Sequence, residues 1–286
     1  LHLLPSGIFR KGVVNILGNG VALDCESLWT EMSDVMDQGV AITPENLKIS
    51  DRAIICLPYH VQQDGLEEDR LGDAKYGSTR RGIAPVYGDK YLKKCIRMGD
   101  LLYPEAMKKR LRGIVEWKDL LIHDGYKADH ISYDEIISWL ETYGGQLKDH
   151  VCDLGVYLTE QIQNGKSIMF EAQLGALRDI DFGIYPFTSS SSTISAYAPI
   201  GAGIPGKKLD LCIGIMKAYS SCVGEGPFTC ELFGKEAEAL REAGATHFIE
   251  IGPGRTLTGF LRKIDRSLHC CNIEKWEDLE QLESFL

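Results

Sequence analysis

The chain has 286 residues, of which 44% are hydrophobic and 25% are charged, a balance typical of one large or two modest folded domains rather than of a disordered protein. Its formal charge of -10 argues against a nucleic-acid or membrane-surface partner, because both need a positive field. No apolar run reaches the roughly 18 residues of a membrane span. The nine cysteines form no C-x-x-C pair, so a reduced, cytoplasmic protein is expected.

The first sixty residues predict alternating strands and helices. Two short strands are expected, at Leu1 to Leu4 and at Val13 to Leu17. A helix is predicted over 27–36. The continuous apolar run from Ala53 to Leu57, ended by Pro58, is typical of a buried strand in a parallel sheet. This pattern indicates an α/β fold with a mostly parallel sheet.

Residues from about 103 to 165 predict an inserted helical subdomain of three helices. The first runs through Met107 to Val115. The second begins at Ser132, whose S-x-x-E spacing to Glu135 is that of a capping box. The third is predicted over 147–162.

The last third of the chain returns to strand character. Strands are predicted at Ser167 to Phe170 and at Leu211 to Ile215, separated by a long Gly/Ser/Pro-rich segment of the kind that is usually functional or disordered. Residues 244–286 then predict a short βαβα tail, with strands at Thr246 to Ile251 and Leu268 to Ile273.

A candidate phosphate site lies at Gly77 to Gly82, which combines two glycines, two hydroxyls and two guanidinium groups. Alone, these residues fit a solvated basic turn about as well. Further cations follow at Lys90, Lys93, Lys94 and Arg97. If this segment is helical they share one face. In so acidic a chain such a patch indicates an anion site, and a solvated helix face is the open alternative.

Carboxylates and hydroxyls crowd the segment after Phe170. Asp179 and Asp181 are placed to face a metal or a nucleotide hydroxyl, since α/β folds bind ligands where strands end, but they are equally good turn formers. Thr188 to Thr193, six hydroxyl residues in succession, either donate to phosphate oxygens or form an ordinary loop. Walker, H-E-x-x-H and G-x-S-x-G motifs are missing from the sequence, and the histidines are interpreted as structural.

Five segments resemble, in order, the adenylosuccinate synthetase family. They are Leu1 to Ile8, Gly18 to Val21, Gly77 to Tyr87, Asp179 to Phe187 and Val223 to Phe228. This collinear match over residues 1–243 implies a P-loop-NTPase-related fold and a homodimer. It also implies the ligation of L-aspartate to IMP in AMP biosynthesis: GTP phosphorylates the IMP 6-oxygen with Mg²⁺, and the aspartate amine then displaces phosphate.

The resemblance assigns IMP-binding roles to four residues. Thr79 falls where the family contacts the IMP phosphate. Lys93 falls where the family commonly has an arginine that reaches into the partner subunit's IMP site, so the charge is kept and the bidentate geometry is lost. Gln173 lies within one residue of an IMP-binding glutamine, and Ser189 stands where a nucleotide-binding threonine usually does.

The family's catalytic base and histidine would precede Leu1, and its aspartate-binding loop and guanine-reading element would follow Ala243. None has a counterpart here, so catalytic and metal-binding residues are not assigned and the chain as given is expected to be inactive. Residues 246–260 instead resemble the C-terminal end of malonyl-CoA:acyl-carrier-protein transacylases. We therefore expect a partial synthetase domain over 1–243 and a transacylase-like tail over 244–286.

Two alternatives to the ligase function stay open. One is a non-catalytic protein that binds IMP or is merely structural. The other is a module, formed by the tail, that interacts with malonyl-CoA or an acyl-carrier protein.

Overall fold

A computed structural model describes residues 1–171, 174–214, 247–251, 269–273 and 278. These residues belong to two compact units: the first holds 1–171 and 174–212, and the second holds the remainder. The helices of the first unit are α1 Cys25–Asp37, α2 Pro58–Leu71, α3 Ile83–Tyr91, α4 Pro104–Asp119, α5 Tyr133–Trp139, α6 Gly145–Leu147, α7 Leu154–Gln163 and α8 Ala198–Gly201. Its strands are β1 Asn15–Leu17, β2 Ala22–Leu23, β3 Leu47–Ser50, β4 Ile54–Ile55 and β5 Val151–Cys152.

Every strand pair in the described part of the chain is parallel. One sheet has the order β1-β3-β5, with Asn15 opposite Leu47 and Ile49 opposite Val151. A second, two-stranded sheet pairs β2 with β4. The predicted α/β class with a parallel sheet and an inserted helical region is confirmed. No described helix is long and apolar enough to cross a membrane.

The core of the first unit forms where α1 packs on the sheet. Leu47 and Ile49 of β3 are fully buried, as is Leu28 of α1. Burying such a side chain stabilises the fold by roughly 1.5–3 kcal/mol. The helix begins at Cys25 because the preceding Asp24 accepts a hydrogen bond from the Ser27 N–H at 3.0 Å, satisfying an otherwise unpaired donor. Six cysteines are free thiols: Cys25, Cys56, Cys95, Cys152, Cys212 and Cys271.

Two of the three predicted helices of the insert form as α4 and α5. The third, predicted over 147–162, is wrong in its first half: Val151 and the next residue leave the helix to pair with β3 at Ile49. A new helix, α7, starts afterwards because the Asp153 carboxylate accepts from the Val156 N–H at 3.1 Å. A sheet contact distant in sequence overrides the helical spacing.

Three predicted strands do not form within the described residues. Leu1 to Leu4 is irregular because its backbone N–H groups donate to the Glu31 carboxylate of α1 rather than to a strand. At 167–170, Ile168 and Phe170 alternate as in a strand but pack against α7. Residues 211–214 are all exposed and form no strand.

In the second unit the two predicted tail strands are confirmed as β6 His247–Ile251 and β7 His269–Ile273. They pair in parallel, with His247 opposite His269 and Ile251 opposite Ile273. Parallel pairing requires a crossover connection rather than a hairpin. The helix predicted between them lies outside the described residues.

Candidate functional site

The segment between α2 and α3, residues 75–82, is called the 75–82 loop, and α2 holds its first half. The Glu68 carboxylate is 4% exposed and accepts hydrogen bonds from the backbone N–H groups of Tyr76, at 3.2 Å, and Gly77, at 2.9 Å. A buried carboxylate is costly unless donors satisfy it, and these two donors come from the loop. Glu68 therefore ties the loop backbone to the helix.

Asp64, one turn earlier on α2, holds the second half of the loop. Its carboxylate accepts from the Ser78 hydroxyl at 2.7 Å and from the Gly82 N–H at 2.8 Å. The Ser78 oxygen in turn accepts from the Arg80 N–H at 2.9 Å. Thr79 lies between these two residues with its side chain exposed. The loop thus presents Thr79 from a backbone that is fixed on both sides.

Gly82 closes the loop in a conformation that only glycine accommodates. Its φ is +76°, and a Cβ built there would lie 2.8 Å from the His60 carbonyl carbon and 2.8 Å from the Val61 nitrogen. Both the left-handed backbone and the close packing exclude a side chain. Because α3 begins at the next residue, Ile83, the positive end of this helix dipole opens at the loop.

The charge of the loop is smaller than its two arginines suggest. The Arg80 guanidinium pairs with Asp69 at 2.5 Å, and this hydrogen bond raises the pKa of Arg80. Arg81 is exposed and lines a cavity together with the carboxylates Glu26, Glu31 and Asp34 of α1. The two arginines of the loop therefore both lie beside acidic side chains.

The cationic helix face predicted after the loop does not form. Helix α3 ends at Tyr91, and Lys93 takes a left-handed conformation with φ of +61°. The Lys93 N–H donates to the Lys90 carbonyl at 3.2 Å and the Lys94 N–H donates to the Asp89 carbonyl at 2.8 Å, the two bonds of a Schellman helix end. The prediction of one cationic helix face was wrong because α3 ends before Lys93.

The lysines on either side of Lys93 lie over aromatic rings. The Lys90 Nζ is 5.7 Å from the ring centre of Tyr87, and the Lys94 Nζ is 4.6 Å from that of Trp117. Such contacts favour a fixed position for a cation. Lys93 itself is exposed, so it is the lysine of this set whose side chain is presented to solvent.

Asp179 organises the segment that carries Ser189. The Asp179 side chain is almost completely buried, and backbone hydrogen bonds, above all from Thr193, lower the pKa of its carboxyl group. Its donors are the N–H groups of Thr193 at 2.6 Å, Asp181 at 2.9 Å, Phe182 at 3.1 Å and Ile194 at 3.3 Å. Of the two interpretations of Asp179, the turn former matches the structure.

Ser189 lies in a loop that reaches the 75–82 loop. Its N–H donates to the Arg178 carbonyl at 2.8 Å, and its hydroxyl lies 3.1 Å from that of Ser191. The neighbouring Phe187 packs edge-on against Tyr76, with ring centres 6.1 Å apart. The structure therefore brings the loops of Thr79 and Ser189 into contact, whereas Gln173 lies outside the described residues.

The glycine turn after β1, residues 18–20, contacts α3 and α8. Gly20 donates its N–H to the Gly201 carbonyl at 2.9 Å and accepts the Tyr87 hydroxyl of α3 at 2.5 Å. A Cβ on Gly18 would lie 2.4 Å from the Gly201 oxygen. This turn follows the carboxyl end of β1, the kind of position where α/β folds bind ligands, and it is packed against α3 and α8.

Sequence reasoning missed the carboxylates that build the 75–82 loop. Asp64 and Glu68 stand four residues apart on α2, a spacing that places them on one helix face. In sequence, such a pair is indistinguishable from an ordinary solvated face. The one available signal was their position, since both come just before the G-S-T-R-R-G segment.

Comparison with known proteins identifies the family. The family model for adenylosuccinate synthetase matches residues 1–261. The chain is 40% identical to the adenylosuccinate synthetase of Bacillus cytotoxicus over 260 residues, covering 91% of this chain and 60% of that protein. It is 41% identical to that of Clostridium acetobutylicum over 255 residues, covering 89% of this chain and 60% of that protein.

A solved structure agrees with these sequence matches. The fully ligated adenylosuccinate synthetase from Plasmodium falciparum superposes with a TM-score of 0.72 at 31% identity, covering 86% of this chain and 57% of that one. The chain thus spans 60% or less of the length of each relative described here. With a family model matched over most of its residues, the chain belongs to the adenylosuccinate synthetase family.

Proposed function

We propose that this chain forms the IMP-binding part of an adenylosuccinate synthetase, the ligase that joins L-aspartate to IMP with GTP. The observation that carries the proposal is the 75–82 loop, whose backbone is fixed by Asp64 and Glu68 while Thr79 stays exposed. A site held in its binding conformation loses little free energy to ordering when the ligand arrives. Family membership supplies the identity of the ligand.

The proposed roles follow from what each side chain presents. The Thr79 hydroxyl donates to the IMP phosphate, and the Arg81 guanidinium and the dipole of α3 attract its charge. Ser189 contributes a hydroxyl from the loop that Phe187 packs against Tyr76. Gln173 is proposed as a further IMP contact on the resemblance alone.

Lys93 is proposed to act across a homodimer, reaching the IMP site of the partner subunit. Its exposure fits this role. Homodimerisation and a cytoplasmic location are part of this proposal.

The ligase reaction also needs Mg²⁺, and no group of three or more metal-binding side chains occurs among the described residues. Mg²⁺ commonly takes only one or two carboxylates besides substrate phosphates and waters. The carboxylates beside the two loops, Asp64, Glu68 and Asp179, already accept hydrogen bonds from the protein. We therefore assign no Mg²⁺ ligand and derive no step through the metal, and GTP and aspartate enter as substrates proposed from the family.

The proposed IMP site is tested by calorimetry with IMP and with inosine, which lacks the phosphate. We expect the chain to bind IMP at least about tenfold more tightly than inosine. Thr79→Val removes one hydroxyl at nearly constant shape, and a hydrogen bond to a charged group contributes about 1.5–3 kcal/mol. The variant should weaken IMP binding by about 10- to 100-fold and leave inosine binding unchanged.

Thr142→Val is the matched control, since Thr142 is exposed on the helical insert. It should bind both ligands as the unsubstituted chain does. Equal affinity for IMP and inosine would overturn the phosphate site, and a Thr79→Val variant that binds IMP normally would remove Thr79 from it.

A second proposal concerns the tail. Residues 244–286 are proposed to be a transacylase-like module that binds malonyl-CoA or an acyl-carrier protein. The parallel β6–β7 pair favours a strand–crossover–strand unit here, although the synthetase family match continues to residue 261. Deletion of 246–286 should abolish malonyl-CoA binding measured by calorimetry, and an intact chain that gives no heat with malonyl-CoA or carrier protein contradicts the proposal.

A further inference from the structure

Three helices around the 75–82 loop meet at a buried cluster of polar side chains. His60 comes from α2, Asp89 from α3 and Lys118 from α4, and their side chains are between 0% and 3% exposed. The His60 Nε2 lies 3.1 Å from the Asp89 Oδ2. The Lys118 Nζ lies 3.0 Å and 2.7 Å from the two Asp89 oxygens. Asp89 of α3 thus contacts side chains from both α2 and α4.

The hydrogen bonds around the cluster fix the role of each group. The Leu57 N–H donates to the His60 Nδ1 at 2.9 Å, so the ring carries its proton on Nε2 and donates it to Asp89. The Lys118 ammonium also donates to the Gln63 Oε1 at 2.8 Å. Each donor and acceptor is used, and α2 contributes both His60 and Gln63.

Stability alone does not explain such a cluster. Burying an ion pair costs desolvation that its attraction often only balances, and apolar side chains of the same volume are frequently as stable or more so. What the cluster adds is geometry: the directed His60–Asp89 bond sets the position of α3 against α2. These are the two helices that the 75–82 loop connects.

The loop contacts the cluster at its closing residue. Gly82, which precedes α3, packs on the backbone of His60 and Val61 so closely that no Cβ fits. The other supports of the loop, Asp64 and Glu68, lie on α2 one and two turns after His60. A shift of α3 relative to α2 therefore moves Gly82 away from Asp64 and loosens the loop.

We propose that Asp89 is a positioning residue for phosphate binding. Through its hydrogen bond with His60, Asp89 holds α3 against α2, and Lys118 neutralises the charge of the Asp89 carboxylate. The inference rests on the proposed IMP site and deepens it, since Asp89 itself does not touch the ligand. It separates two roles within the cluster: the His60–Asp89 bond sets loop geometry, and the Lys118 ion pair makes that bond compatible with burial.

The test compares two charge-neutral double variants in the full chain. Asp89→Asn with Lys118→Met removes both charges but keeps an acceptor for the His60 N–H. Asp89→Leu with Lys118→Met is equally neutral but lacks that acceptor. The measurements are amide hydrogen exchange of Gly77 and Gly82 without ligand, and the ratio of IMP to inosine affinity.

The expected result depends on whether the His60 N–H keeps a hydrogen-bond acceptor at residue 89. The Asn variant should protect both amides and discriminate IMP from inosine as the unsubstituted chain does. In the Leu variant, both amides should exchange at least about tenfold faster, and the IMP affinity should fall about tenfold or more while inosine binding stays unchanged. Equal loop protection and equal ligand ratios in the two variants would overturn the inference, because a purely structural cluster predicts them.

If the Leu variant does not fold, Asp89→Ala with Lys118→Met replaces it, since the space left by alanine admits a water for the His60 N–H. The same loss of protection and of IMP affinity is expected, and normal values of both contradict the inference. Failure of the unsubstituted chain to bind IMP would count against the proposed function, whereas the exchange rates decide the positioning role of Asp89 independently.

Discussion

The backbone of Lys93 is held in a conformation that glycine adopts more readily. Lys93 occupies the position after α3 that completes its Schellman end, with φ of +61°, and most helices place glycine there. A side chain in this region costs roughly 1–2 kcal/mol.

Replacing Lys93 with glycine should therefore raise stability and impair binding. For Lys93→Gly we expect the free energy of unfolding, measured in urea, to rise by about 1 kcal/mol as the left-handed strain is relieved. IMP binding measured by calorimetry should weaken at least about tenfold, because a cation is lost from the proposed phosphate site.

Lys127→Gly is the matched control, because Lys127 has the same φ of +61° and follows the long helical segment of the insert. It should gain similar stability without any change in IMP affinity. Unchanged IMP binding in Lys93→Gly would remove Lys93 from the site.

A helix beginning that carries a local capping motif can be predicted from the sequence. The S-x-x-E spacing at Ser132 predicted the start of α5, and the Glu135 N–H indeed donates to the Ser132 hydroxyl at 3.2 Å. Capping is a local interaction between residues three apart, so it can be read without knowledge of the fold.

Removing this cap should cost a measurable amount of stability. Ser132→Ala leaves a helix donor without its partner, and we expect the free energy of unfolding to fall by about 1 kcal/mol. Ser138→Ala, an exposed change within the same helix, should have no effect or stabilise slightly, because alanine has the higher helix propensity. Equal losses in the two variants would contradict the cap.

The elements that sequence reasoning misplaced are those decided by distant partners. Val151 has helical spacing with Leu147 and Leu154 but pairs with β3, a hundred residues earlier. The N–H groups of His2, Leu3 and Leu4 donate to the Glu31 carboxylate. The same limit applies to the site: Thr79 and Ser189 were found from the family resemblance, but Asp64, Glu68 and Asp89 become visible only when the helices are packed.

Stability of the whole molecule should depend on the buried His60. Burial lowers the pKa of His60 below its ordinary value, an effect larger than the opposing attraction of Asp89. Below about pH 6.5, the unfolded chain then binds a proton that the folded chain does not, so stability is lost as the pH falls through this range.

Thermal unfolding at pH 7.5 and pH 5.5 measures this dependence. His60→Gln keeps a polar side chain that cannot titrate, so the variant should lose less stability between the two pH values than the unsubstituted chain does. The two other charged groups at His60, Asp89 and Lys118, are present in both proteins. Equal losses would show that His60 is not the titrating group.

Across the whole molecule, the loops of Thr79 and Ser189 are proposed to form one nucleotide site although they lie about a hundred residues apart. Titrating IMP into isotope-labelled protein, with the amide resonances of both loops followed by NMR, tests whether they do. Gly77, Thr79, Gly82 and Ser189 should shift together and yield one dissociation constant. Shifts confined to one loop, different constants for the two, or changes only elsewhere in the chain would contradict it.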